Sequence, residues 1–127
     1  MGASTKEFED RIGAYIGGAG RHAVAVNTGT SALHIALRSA GIGPGDEVIT
    51  PSFNYVADHQ AIAMAGADVV MCDVRDDDLG MDCTKAEALV TRRPKALIPL
   101  HFAGIPLDRA GVYSLARPPC LRVIQAA

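Results

Sequence analysis

Cysteines, clustered basic residues and long apolar runs are all scarce in this chain, and each scarcity excludes something. Three cysteines, Cys72, Cys83 and Cys120, stand at spacings that fit no metal centre, and the odd number leaves a thiol unpaired. Reduced thiols in a cytosolic protein are the expectation. The 12 Lys and Arg against 14 Asp and Glu give a formal net charge of -2, and no basic stripe forms. That speaks against nucleic acid and against an anionic membrane as partners. No apolar run is long enough to span a bilayer, and the polar first ten residues lack a signal-peptide core. A P-loop is missing. So is a dinucleotide fingerprint in the right place. The run Gly41-Ile42-Gly43-Pro44-Gly45-Asp46 is glycine-rich, but it follows a helical pattern and precedes a strand, the reverse of that motif. It reads as a helix stop and a turn.

What is present describes one domain. The 127 residues, 49% hydrophobic and 20% charged, suffice for one core and are too few for two. Residues 5–16 read as a helix with Phe8, Ile12, Tyr15 and Ile16 on one face, stopped by Gly17-Gly18-Ala19-Gly20. Strands are expected at 22–26, 47–50, 67–74, 95–100 and 121–124. Helices are expected between them: one after residue 31, one at 54–65 with Ala57, Ala61, Met64 and Ala65 inward, one capped by Thr84, and one starting at Asp108. Pro118-Pro119 should break the last of these. Near-continuous apolar strands alternating with amphipathic helices predict an α/β fold, a mostly parallel sheet flanked by helices. In such sheets ligands sit beyond the carboxyl ends of the strands. Residues 27–31, 51–55 and 101–104 all fall at such ends, so three loops are expected to converge.

The stretch Asn27-Thr28-Gly29-Thr30-Ser31-Ala32 lies between a β-branched strand and a helix whose apolar residues Leu33, Ala36, Leu37 and Ala40 recur at helical spacing. Thr28, Thr30 or Ser31 is placed to cap that helix. Gly29 is expected to take a backbone shape that a side chain opposes. Free N–H groups at the helix start, with hydroxyls beside them, make an anion site that suits a phosphate. Any strand-to-helix turn also favours Ser or Thr, so the turn alone does not prove a ligand. His22, His34 and His59 show no ligand spacing, and His101 reads as a packed or hydrogen-bonded loop histidine.

Further residues carry a family likeness. They are Phe8-Glu9, then Ala23-Val24-Ala25-Val26-Asn27-Thr28-Gly29-Thr30-Ser31-Ala32-Leu33-His34, then Gly43-Pro44-Gly45-Asp46-Glu47-Val48-Ile49-Thr50-Pro51-Ser52-Phe53. Gly66-Ala67, Asp73-Val74, Met81-Asp82 and Lys95-Ala96-Leu97-Ile98-Pro99-Leu100-His101 with Gly104 follow in order. The series resembles the DegT/StrS family, pyridoxal-phosphate-dependent aminotransferases that act on nucleotide-linked keto-sugars. The resemblance implies a fold-type I aminotransferase, with residues 1–127 forming the N-terminal part of its large domain. It implies that Gly29, Thr30 and Ser31 hold the phosphate of pyridoxal phosphate and that Tyr55 stacks on its pyridine ring. In the intact family it implies a cytoplasmic homodimer that takes a keto-sugar nucleotide and an amino-acid donor, glutamate being expected. Some relatives dehydrate or isomerise sugars instead.

Three departures from the family pattern bear on activity. Family members are about three times longer. Where their strand continues V-I-E-D-A-A, this chain reads Val123-Ile124-Gln125-Ala126-Ala127, without the Asp that pairs with the ring nitrogen. The family's Schiff-base lysine lies downstream, and none of Lys6, Lys85 and Lys95 matches it. No catalytic residue and no metal ligand is therefore assigned. The chain is expected to bind the cofactor weakly or not at all and to be inactive alone. Two other readings stand beside this one: a non-catalytic remnant or interaction module, and a small phosphate- or nucleotide-binding α/β protein.

Overall fold

A computed structural model of the chain describes residues 2–18, 20–117 and 120–126. Its strands are β1 (Glu47–Pro51), β2 (Asp68–Cys72), β3 (Pro94–Leu97) and β4 (Arg122–Val123). Its helices are α1 (Ala3–Tyr15), α2 (Gly29–Ser39), α3 (Ala57–Ala65), α4 (Cys83–Glu87) and α5 (Arg109–Ala116), with a 3-10 turn at Phe102–Gly104. The strands form one parallel sheet in the order β2-β1-β3-β4.

Strand period explains the layering. Successive side chains on a strand point to opposite faces. Val48 therefore packs with Ala96, Ile98, Leu37 of α2 and Ala61, Ile62 and Ala65 of α3. Its neighbour Ile49 packs on the other face with Leu97, Met81, Ala86 of α4 and Val112 of α5. The chain steps one way from β1 to β2, then the other way to β3 and β4. Crossovers of one hand place the helices of opposite steps on opposite faces, which is where α3, and α4 with α5, lie. The direction reverses at β1, so a crevice opens beyond the carboxyl ends of β1 and β3. Burying a side chain such as Ile49 or Leu97 contributes on the order of 2 kcal/mol.

The parallel α/β architecture is as expected, and several local expectations are corrected. Residues 22–26 form no strand, and Val24 is 72% exposed. β-branched residues favour a strand only where a neighbouring strand completes the ladder. Among the described residues the sheet brings none beside this stretch, and the Ala25 N–H turns to Glu9 Oε1 at 2.8 Å instead. The apolar face of α1 carries Phe8, Ile12, Tyr15 and Ile16 as expected, but all four are solvent-exposed.

α3 begins three residues later than expected, and Met64 lies 61% exposed while Ile62 is buried. The cap of α4 is Asp82, whose carboxylate accepts from Thr84 N–H and Lys85 N–H at 3.0 and 3.2 Å, and not Thr84. Gly29 has a negative φ, and a Cβ there would meet nothing within 4 Å, so no backbone shape peculiar to glycine is needed. β2, β3 and β4 are shorter than expected, though isolated bridges Val74 to Met81 and Leu100 to Ala126 extend the chain paths. The turn at 41–46 behaves as read: Gly41 and Gly45 have φ of 81° and 88°. The Pro118-Pro119 break lies outside the described residues. No described helix is long and apolar enough to cross a membrane.

Candidate cofactor site

Thr28 shapes the start of α2. It sits in extended backbone, and its Oγ1 accepts the Ser31 N–H at 3.0 Å, an N-cap. The Thr28 hydroxyl in turn donates to Ser31 Oγ at 3.0 Å, and the Ser31 hydroxyl donates to Asn27 Oδ1 at 2.8 Å. The first two helical N–H groups, of Gly29 and Thr30, take no bond in this network. They retain the partial positive charge of a helix start.

Those two residues border a cleft of about 600 Å³. Asn54 and Tyr55, which follow β1, line it. So do Leu100, His101 and Phe102 after β3, and Gln125 and Ala126 after β4. Three adjacent strands thus deliver their carboxyl-end loops to one space. The volume lies in the range of small-molecule sites. Tyr55 is 78% exposed, an aromatic face without a partner ring among the described residues. Phe102 is fixed by Phe53, with ring centroids 5.2 Å apart.

Of the four residues proposed to bind a cofactor, Gly29, Thr30 and Tyr55 come together on this cleft, at the carboxyl side of the sheet. Ser31 does not reach the lining; its N–H and hydroxyl hold the turn from behind. His101 lines the cleft, and its backbone N–H donates to the Ala126 carbonyl at 3.0 Å. None of the lysines lines it. Lys6 is paired with Asp10 and Lys85 with Asp73, at 2.9 and 2.6 Å, and Lys95 is exposed on β3.

One lining residue escaped the sequence reading. Asp58, in the first turn of α3, is only 3% exposed. Its Oδ2 accepts from Asn54 Nδ2 at 2.6 Å. Burial pushes its carboxyl above the usual carboxylate range, opposed by the bond from Asn54 and the nearby His59. The signal was in the sequence: Asp58 stands three, four and seven residues from Ala61, Ile62 and Ala65, on the buried side of the helix. The spacing of the alanines alone drew attention away from it.

Comparison with known proteins places these features. Residues 1–127 match the model of the DegT/DnrJ/EryC1/StrS aminotransferase family. The chain is 42% identical over 127 residues to GDP-perosamine synthase of Caulobacter vibrioides, covering all of this chain and 34% of that protein. It is 45% identical over 104 residues to the UDP-N-acetyl-3-dehydro-alpha-D-glucosamine 3-aminotransferase of Acidithiobacillus ferrooxidans, covering 82% of this chain and 28% of that one. The structure superposes with TM-score 0.93 and 38% identity on S. venezuelae DesV in complex with a ketimine intermediate, over 98% of this chain and 33% of that chain. It also superposes on the PLP-form of the putative sugar aminotransferase Spr1654 from Streptococcus pneumoniae, with TM-score 0.88 and 33% identity, over 100% of this chain and 32% of that one. The chain spans about a third of the length of these relatives. With a parallel sheet, a helix start facing a three-loop cleft and a family model matched along its whole length, this chain belongs to the DegT/DnrJ/EryC1/StrS aminotransferase family.

Proposed function

We propose that this chain is the N-terminal part of the large domain of a pyridoxal-phosphate-dependent aminotransferase, whose intact form moves an amino group from an amino acid to a keto-sugar nucleotide. The observation that carries the reading is the meeting on one cleft of Tyr55 with Gly29 and Thr30, whose N–H groups take no bond among the described residues. A phosphate monoester needs N–H and hydroxyl donors at a helix start, and a flat heteroaromatic ring needs an aromatic face beside it. The residues present fit both needs.

In this reading Gly29, Thr30 and the Thr30 hydroxyl hold the phosphate. Thr28 and Ser31 keep the turn in shape, and Tyr55 covers one ring face. Leu33, Leu100 and Phe102 keep water from the ring. Bound there, pyridoxal phosphate would supply the carbonyl and the electron-accepting ring of amino transfer. With no lysine on the cleft, the chain by itself provides neither the covalent anchor nor the amine that carries the proton.

The test measures binding and turnover separately. Titration of the chain with pyridoxal 5′-phosphate and with pyridoxal should show weak binding that requires the phosphate, and no amino transfer to a keto-sugar nucleotide. Equal affinity for the two compounds would remove the phosphate cradle from the reading. Stoichiometric borohydride trapping at one lysine, together with turnover, would overturn the expected inactivity.

A further inference from the structure

We propose that Asn54 and Asp58 form a clasp that positions Tyr55: the bond between their side chains fixes the turn that presents the Tyr55 ring to the cleft. Asp58 is thereby a positioning residue. The inference rests on the reading above that Tyr55 covers one face of a flat ring.

The turn that carries Tyr55 has little else to hold it. Tyr55 itself is 78% exposed. Among the described residues no backbone N–H of residues 53–56 donates a hydrogen bond to the backbone. Val56, at the head of α3, supplies no side-chain cap. Side chains do the fastening instead. At the start of the turn His59 Nε2–H donates to the Pro51 carbonyl at 3.2 Å. Phe53 leans on Phe102, as described above. Asn54 Nδ2 donates to Asp58 Oδ2 at 2.6 Å, and that bond closes across Tyr55.

Asp58 is committed to this one bond. An acid in the first turn of a helix ordinarily takes free N–H groups or sits in water, where the helix start favours it. Asp58 is 3% exposed, and its hydrogen-bond donor among the described residues is the Asn54 amide. Its buried neighbours Ala57, Ala61 and Ile62 are apolar, and an apolar residue at 58 would be buried at less cost. Away from water, no solvent competes for either group, so the bond is strong and directional. An exposed side chain that must be ordered as a ligand binds weakens that binding by about three- to tenfold. A turn fixed in advance avoids the loss. The helix start at Gly29 and Thr30 is braced separately, by Thr28 and Ser31, and does not depend on the clasp.

The experiment compares two phosphate esters. Pyridoxine 5′-phosphate has the ring and no aldehyde to react with exposed lysines; glycerol 3-phosphate has no ring. Both are titrated into the chain and followed by amide chemical shifts, and the readout is the ratio of their affinities, which a general loss of structure does not move. The unaltered chain should prefer the ring ester, and Tyr55→Ala should remove that preference. Asp58→Ala and Asn54→Ala should each lower the ratio about three- to tenfold, and the two together should lower it no further. Asp58→Asn, which keeps an acceptor oxygen without the charge, should keep the ratio. An unchanged ratio in Asp58→Ala, or a fall in Asp58→Asn as large as in Asp58→Ala, overturns the positioning role. 15N relaxation of the unaltered chain tests the clasp without a variant. The Asn54 side-chain amide should be as rigid as the helix backbone, and an amide as mobile as that of exposed Gln60 overturns the proposal. If the ring ester binds no better than glycerol 3-phosphate, or Tyr55→Ala keeps the preference, the ring reading itself fails, and the clasp loses its role with it.

Discussion

Thr28 connects fold and site through one oxygen atom. Its Oγ1 caps α2 by taking the Ser31 N–H, and in doing so leaves the Gly29 and Thr30 amides to the cleft. Thr28→Ala should cost about 1 kcal/mol of stability, the usual loss of a cap, and Thr28→Ser should restore most of it; urea unfolding measures both. A variant as stable as the parent would show that the turn is held by its other bonds. Cys72 makes a second residue-scale case. It is buried at the end of β2, where burial first and the nearby Asp82 carboxylate next push its thiol up to about 11. A raised value in the folded state means that folding holds the proton more tightly than the open chain does. Stability from this group is complete below about pH 9 and is lost as pH rises toward about 11, by on the order of 2 kcal/mol. The alkaline slope of stability against pH should flatten in Cys72→Ala. In the native chain a thiol reagent should find Cys120, which is exposed, before Cys83 and well before Cys72.

At the scale of the element, α3 is the instructive one. It ends at Gly66, whose φ of 84° is left-handed and whose added Cβ would lie 3.0 Å from Pro44 Cγ. Gly66→Ala should therefore cost about 1–2 kcal/mol from the backbone alone, with the contact adding to it. Gly29→Ala, in helical backbone with open space around it, should leave thermal stability within a few tenths. A reversal of that order would undo the account of both turns. α3 also shows how much could be read in advance. Val48, Ile49, Ala96, Leu97 and Ile98 declared a sheet buried on both faces because their alternation is a matter of strand geometry. Gly66 declared a helix end because few other residues take its φ. The turn at Thr28 was legible for the same kind of reason. Residues 22–26 were misread because a strand is made by its neighbour, and a β-branched sequence cannot say whether one is there. Asp58 was overlooked because its meaning comes from three loops that meet only in the folded chain.

The molecule as a whole exposes more apolar surface than a helix-covered sheet needs to. Phe8 and Tyr15 on α1, Val24, Tyr55, and Met71 on the edge strand β2 are all more than half exposed. Apolar patches and open sheet edges of this kind favour association. Sedimentation should show self-association that grows with concentration, and a monomer across the whole concentration range would contradict that expectation. The strandless run that joins α1 to α2 has a consequence of another kind. Among the described residues no ladder bonds run along 22–26, and of these amides Ala25 is bonded to the Glu9 side chain, so the others should exchange quickly with deuterated water, whereas those of β1 and β3, bonded on both sides, should be among the last to exchange. A protease reads the same difference. Trypsin should cut early at exposed Arg21 and release α1, which contributes no residue to the cleft. What remains from Thr28 onward would keep the sheet, the helix start and Asp58, so the grip on a phosphate should outlast the helix that precedes it.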